Sequence, residues 1–424
     1  MLVRYEQLER TVAQLERRAL EPFAVDAHGA VGVVNLLPYR RRALVEVPGY
    51  ESAVVELDGF SARPVELASA SGVRQHDGRA IENDHFRVDA GPDGTLSVLD
   101  KRSGRGFDGL HRLEDEPDIG DLYNFCPVDG AVPRWGEAAS VRVLRDGPIV
   151  SELEIRMLTV TTIVRLIAGI RRVEFRTTID NQTQDHRLRA VFPVGPGPAP
   201  GPEPVATVRA EGQFAVIHRP LAPPRPRTEW VEPPDPTQHT LGAVALGPLA
   251  LLTKGLPEYE ARGRSELCLT LLRCVGVISQ PTGALTTRPL GAGPQTQTPD
   301  GQCLGRHELE YALLPAADEL DDAQLLRAAH DYRSGFLITP QAVKIDPPMT
   351  IEGDVVFSCL KGAEDGEGLI LRCFNPKAAP ASIELAGAFT LSRVRLDETV
   401  IEAGGQRTDL LPSEIGTFRV RAQA

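Results

Sequence analysis

Residues 1–20 place Tyr5, Leu8, Val12, Leu15 and Ala19 at alternating spacings of three and four, with Arg, Glu and Gln between them. This pattern predicts one helix with a narrow apolar seam. An isolated helix of that length is marginal in water, so the seam needs something to pack against. The only comparable stretch is 320–332, opened by acidic residues suited to a helix N-terminus. The first helix is therefore expected to lie on a sheet or to find its partners outside this chain.

From Val31 onward the period changes to two. VGVVNLLPYRRRALVEVPGY reads as two strands around a turn at Pro38, and SAVVELDGF continues them with a hairpin signal at Asp58 and Gly59. HFRVDAGPDGTLSVLDKRSG predicts a hairpin with its turn at Gly91-Pro92-Asp93-Gly94. Residues 141–180 hold the longest alternating series and predict three long antiparallel strands with one wet face. Further strands are expected from Leu241, Leu267 and His307, and a block of short strands over 340–424 suits a small sandwich. Two Pro-rich stretches, 192–205 and 219–236, lack the amide donors a central strand needs and are expected as surface loops.

At 424 residues, with about 150 residues per domain as a prior, the chain is long enough for two or three domains. Apolar residues at 42% and charged residues at 25% exclude a disordered chain and a helical membrane protein. The 39 Gly and 35 Pro against 5% aromatics favour short strands over long helices. A net charge of -12 argues against nucleic acid and anionic membranes as partners. Cys126, Cys268, Cys274, Cys303, Cys359 and Cys373 form no C-x-x-C pair and read as reduced core residues. With no apolar signal core at its start, the expected address is the cytoplasm.

Local motifs name no reaction. The nine histidines include no pair at the spacing of H-E-x-x-H, and no His-x-Asp occurs. G-x-S-x-G is absent, and Gly-Ala-Gly-Pro at 291–294 is followed by a loop instead of a helix. Carboxylates remain: Glu114, Asp115, Glu116, Asp118 and Asp121 crowd next to Tyr123 in what reads as a loop. Such a group could divide acid and base roles at a glycosidic bond, or hold turns through side-chain caps.

Several phrases are more distinctive. IENDHFRVDAGPDGTLSVLDKRSG, DIGDLYNFCP, TTIDNQTQDHRLRAVFP, KGLPEYE with LTLLRCVG, and TRPLGAGPQTQTPDGQ occur in this order. Together with VVNLLPYRRR before them and SCLK, GLILRCFNP and LLPSEIGTFRV after them, they resemble the C-terminal β region of glycoside hydrolase family 38, the α-mannosidases, over roughly residues 30–424. The resemblance implies a mainly β chain: a galactose mutarotase-like antiparallel supersandwich over 81–335, after a small β segment at 23–80. A small C-terminal β-sandwich follows over 336–424. One N-terminal helix, 1–22, matches the last helix of a bundle.

The resemblance also implies a function. Members of this family cleave α-mannosides with retention, through a Zn2+ and a nucleophilic Asp carried by an N-terminal β/α domain. No cofactor is expected in this chain, and Zn2+ is expected only in that catalytic domain. The chain is expected to complete the carbohydrate cleft of an N-terminal catalytic domain or subunit, and to be inactive alone. By motif, Tyr123 in GDLYNF and Arg288 in the following loop would bind substrate, with Asp121 beside them. Asp185, His186 and Arg187 read as a buried polar network, and Glu258 and Tyr259 as turn-fixing residues. The alternatives are a stand-alone carbohydrate-binding module without catalysis, and a structural protein that self-associates through residues 1–20.

Overall fold

Alternation along Val173–Asn181 turns Val173, Phe175, Thr177 and Ile179 inward, while Arg176 and Asp180 face water. That period-two rule builds most of the molecule. The computed structural model describes residues 2–69, 76–136, 140–195, 207–221, 225, 227–232, 234–263 and 265–422. Among them the sheets are antiparallel, and they fall into two units, Val73–Ala329 and Met1–Gly72 with His330–Ala424. No helix among the described residues is long and apolar enough to cross a membrane.

The Val73–Ala329 unit contains sheets of nine, six and four strands. The nine-stranded sheet runs in the order 140–146, 150–156, 160–167, 173–181, 305–315, 249–253, 243–246, 207–212, 215–220. The 141–180 region thus holds four strands instead of the expected three, because turns at 147–149, 157–159 and 168–172 each reverse the chain. Pro220 ends the outermost strand, where its missing donor leaves no ladder bond unmade. Residues 196–205 of the first Pro-rich stretch, and 222–224, 226 and 233 of the second, lie outside the described residues.

The six-stranded sheet runs Arg134–Trp135, Arg112–Pro117, His186–Pro193, Glu266–Cys274, Glu258–Arg262, Thr237–His239. One of its faces contributes Leu113, Leu188, Ala190, Phe192, Leu267, Leu269 and Tyr259 to a core shared with Val164, Phe175, Leu251 and Leu313 of the nine-stranded sheet. Fully burying a side chain of this size contributes about 1.5–3 kcal/mol, so this face is the adhesive of the sandwich. The predicted hairpin forms as Phe86–Ala90 paired with Leu96–Asp100, inside the four-stranded sheet. A polar line crosses the core: His111 Nε2 lies 2.6 Å from Tyr311 Oη, which lies 2.8 Å from Thr177 Oγ1, itself 3.0 Å from Thr162 Oγ1.

The second unit begins with the helix Leu2–Leu20. Its seam is exposed, with Tyr5, Leu8 and Leu15 each more than half accessible, while Leu20 packs beside Val34, Ala62 and Val343. Two strands flank the turn at Pro38 as expected, whereas the hairpin expected at Asp58-Gly59 does not form. Ala30–Val34 pairs with Ala62–Glu66, and Arg41–Val45 pairs with Ala53–Leu57. Neither turn therefore closes a hairpin. Both loops are instead tied to Asn35, whose Nδ2 donates to the carbonyls of Tyr39 and Asp58. The C-terminal residues form three- and five-stranded sheets around Leu371, Ile383, Leu391, Leu410, Phe418 and Val420. All six cysteines are free.

Candidate functional site

The acidic run divides between two kinds of structure. Glu114, Asp115 and Glu116 belong to the strand Arg112–Pro117, which corrects their reading as a loop. Asp118 and Asp121 lie beyond it, where backbone donors need caps. Asp118 Oδ1 accepts from the amides of Gly120 at 2.7 Å and Cys126 at 3.0 Å. Its Oδ2 lies 3.0 Å from Arg273 Nε. Burial pushes the Asp118 carboxyl above its ordinary value, against the pull of Arg273. Gly120 is required in this turn, since a Cβ there would stand 2.1 Å from the Asn124 carbonyl oxygen.

Asp121 is fully enclosed. Its Oδ1 accepts from the amides of Tyr123 at 2.9 Å and Asn124 at 3.1 Å, and its Oδ2 from the amide of Gln280 at 2.8 Å. The remaining partner of Oδ2 is Arg288 Nη2. The guanidinium of Arg288 then sits 5.2 Å from the centroid of the Tyr123 ring, within the range of a cation–π contact. The three residues carried over by motif therefore form one cluster, although Arg288 is 167 positions from Asp121. Their exposures differ sharply: Arg288 is 2% and Asp121 0% accessible, while Tyr123 is 53% accessible.

This geometry separates two roles. Asp121 uses four acceptor directions on protein donors, which exhausts a carboxylate's usual capacity. It fixes the loop and the guanidinium, and the guanidinium supports the ring. Tyr123 alone of the three presents a large surface to solvent. Gly293 lies beside it, and a Cβ there would fall 2.7 Å from the Tyr123 hydroxyl. Gln280 and Gly293 were not legible as members of the site, because their neighbours are Pro, Thr and Gly in an aperiodic loop.

A second polar assembly covers the other face of the six-stranded sheet. Arg189 pairs with Glu114, with Glu116 at 2.7 Å and with Glu260 at 2.5 Å. Arg187 pairs with Glu116 at 2.7 Å and stacks over the Phe125 ring at 3.5 Å. Burial raises the Glu114 carboxyl above its usual range even with Arg189 against it. Period-two spacing in Glu114-x-Glu116 and Arg187-x-Arg189 is the signal that could have revealed this ladder. Nearby, His186 Nδ1 lies 2.6 Å from Asp115 Oδ1, and its Nε2 lies 3.1 Å from Asn181 Oδ1. Burial works to raise the Asp115 carboxyl, but hydrogen bonding to His186 and the charges of His186 and Arg134 outweigh it and lower it. Glu258 and Tyr259 occupy the strand Glu258–Arg262 instead of a turn: Tyr259 packs into the core, and Glu258 Oε1 accepts from Thr270 Oγ1 at 2.6 Å.

Fold and site together define an antiparallel β region with a polar sheet face and a tyrosine held at its edge. Residues 81–276 match the family model of the glycosyl hydrolases family 38 C-terminal domain. It is 28% identical to a Halalkalibacterium halodurans protein named "Putative mannosylglycerate hydrolase", over 80% of this chain and 41% of that protein. It also resembles an α-mannosidase from Enterococcus faecalis V583, at 21% identity and a TM-score of 0.75, covering 99% of this chain and 60% of that one. A protein in the glycosyl hydrolase family 38 from Enterococcus faecalis gives 20% identity and a TM-score of 0.76, over 99% and 62% of the two chains. These two likenesses concern the fold. The chain spans about two fifths of the length of its curated relative and about three fifths of the two solved chains.

Proposed function

We propose that this chain forms the C-terminal side of a carbohydrate cleft in an α-mannoside-cleaving glycoside hydrolase, with Tyr123 meeting the sugar. Arg288 and Asp121 position that tyrosine. The observation that supports this reading is the cluster itself: two enclosed charges hold one exposed phenol, an arrangement that a purely structural tyrosine does not need. The relative's name extends the substrate class to mannosylglycerate.

In this reading a β/α catalytic region, as an N-terminal domain or a separate subunit, supplies the nucleophile and the Zn2+ that the family resemblance implies. Among the described residues of this chain, no three His, Cys, Asp or Glu side chains are grouped to hold a metal ion. They do not fit a zinc site. The exposed seam of Leu2–Leu20 suits packing against helices of the catalytic region.

The test mixes the 424-residue chain with a family 38 catalytic region in the presence of Zn2+ and follows a chromogenic α-mannoside. The expected result is turnover in the mixture above that of either part, reduced by Tyr123→Phe. Equal turnover with Tyr123→Phe, or vigorous turnover by this chain alone, overturns the reading.

A further inference from the structure

The loop 275–302 joins the strands Glu266–Cys274 and Gly305–Pro315, and it carries Gln280, Arg288 and Gly293 to the Tyr123 cluster. A short ladder closes its base: Val275 N donates to Gly301 O at 3.1 Å, Thr298 N to Gly276 O at 2.8 Å and Ile278 N to Thr296 O at 3.0 Å. A cysteine stands at each foot, Cys274 at the end of the first strand and Cys303 just before the second. We propose that Cys274 and Cys303 are a reversible oxidation site, where exchange with a small-molecule disulfide locks the base of this loop. The assignment does not depend on the role given to Tyr123.

One side chain ties the two cysteines together. Asn181 Nδ2 lies 3.4 Å from Cys274 Sγ and donates to Cys303 O at 2.9 Å and to Gln302 O at 3.1 Å. The Cys303 thiol is itself a hydrogen-bond neighbour of the Cys274 thiol. The backbone of Cys303 is pinned as well: its amide donates to Asp300 O at 3.1 Å, and its carbonyl oxygen lies 2.7 Å from His307 Nε2. It holds φ at 48°, a left-handed conformation that a residue with a side chain keeps where surrounding bonds impose it. Gln302 adds a clamp, accepting from Asp185 N at 2.9 Å and donating to Asp185 Oδ1 at 2.7 Å. Thiols held in such a frame meet as an intramolecular pair, with the high effective concentration that fixed geometry gives.

The two thiols are not equivalent. Cys303 is partly exposed, whereas Cys274 is enclosed. Burial, then the neighbouring Cys303, pushes the Cys274 thiol up to about 12, against the bond from Asn181. Cys303 is therefore the attacking group. Its thiolate attacks one sulfur of the small disulfide RSSR, whose S–S bond breaks, and RS− leaves Cys303 as a mixed disulfide. Cys274 then gives up its proton and attacks Cys303 Sγ, which expels the second RS−. The protons of the two cysteines end on the two departing thiolates. Two protein thiols and RSSR thus become one protein disulfide and two RSH, the protein losing the two electrons that RSSR gains. The new bond closes residues 275–302 covalently and restrains the unfolded chain.

The experiment treats the full chain with oxidised glutathione, digests it without reduction and maps the linked peptides by mass spectrometry. The expected result is a Cys274–Cys303 disulfide that forms in the native chain, is removed by dithiothreitol and raises Tm by about 5 °C. Cys274→Ser should halt the exchange at a glutathione adduct on Cys303, and Cys303→Ser should leave Cys274 unmodified. Cys359→Ser removes another part-exposed thiol and should leave the linkage unchanged. The map of the parent chain needs no substitution, so it decides the matter even where a serine variant fails to fold. Absence of the linkage, its formation only in urea, an unchanged Tm on oxidation, or a folded Cys274→Ser chain whose Cys303 stays free overturns the proposal.

Discussion

Arg288 and Asp121 form an enclosed ion pair beneath the ring of Tyr123, and neither charge reaches solvent. Each is costly to bury alone, and the pair holds only because both are present. Arg288→Ala or Asp121→Ala should each destabilise the Val73–Ala329 unit by about 3–5 kcal/mol, because Asp121 then has no counter-charge and Arg288 keeps only the part-exposed Glu232, 3.9 Å from its Nε. The double variant should cost clearly less than the sum. Urea unfolding of the four proteins measures this coupling, and strict additivity would show that the two residues do not act as a pair.

Tyr123 can be displaced without removing its hydroxyl. A methyl group at Gly293 would stand 2.7 Å from the Tyr123 oxygen, and the exposed ring is free to swing away. Gly293→Ala should therefore change stability by no more than about 0.5 kcal/mol. It should lower turnover of the reconstituted enzyme as Tyr123→Phe does. Unchanged turnover with an unchanged fold would show that the ring's position is immaterial.

The helix seam makes a complementary prediction. Leu8 is 57% and Leu15 58% exposed within this chain, so Leu8→Lys and Leu15→Lys should each alter the chain's own stability by less than about 0.5 kcal/mol. Association with a catalytic region, or with a second copy, should weaken. Analytical ultracentrifugation with and without that region reads the difference. A large loss of stability in the isolated chain would mean that the seam is already used internally.

What was legible in the sequence follows from how local each signal is. The helix Leu2–Leu20 and the strand pair around residues 91–95 carry their periods within a few residues, and both form where the pattern puts them. Asp58-Gly59 carries the same local signal, yet its flanking strands enter different sheets, because the bonds that decide come from Asn35 more than 20 residues upstream. The site repeats this lesson. Tyr123 could be singled out by its phrase, but its support depends on Arg288, which no spacing rule connects to it. Glu114 and Glu116 were obscured for a different reason: five acids in a short stretch resemble a solvated loop, and only pairing with Arg187 and Arg189 across the sheet makes a charged strand tenable.

The core histidine gives the molecule a defined acid sensitivity. His111 is fully buried between Phe175 and Tyr311, and burial pushes its imidazole down to about 4 from 6.5. Between those values the unfolded chain holds a proton on His111 that the folded chain excludes, so stability rises with pH across the window. The contribution is fully present above pH 6.5 and is lost as pH falls to about 4, where a gap of this size corresponds to about 3 kcal/mol. Asn tolerates the left-handed backbone that His111 adopts at φ 60°, and it does not titrate. His111→Asn should lower stability at pH 7 through lost packing, yet remove about 2 kcal/mol of the difference between pH 7 and pH 5. Urea midpoints at the two pH values for both proteins decide the matter. A variant that keeps the parent's full acid sensitivity would assign that sensitivity to other groups.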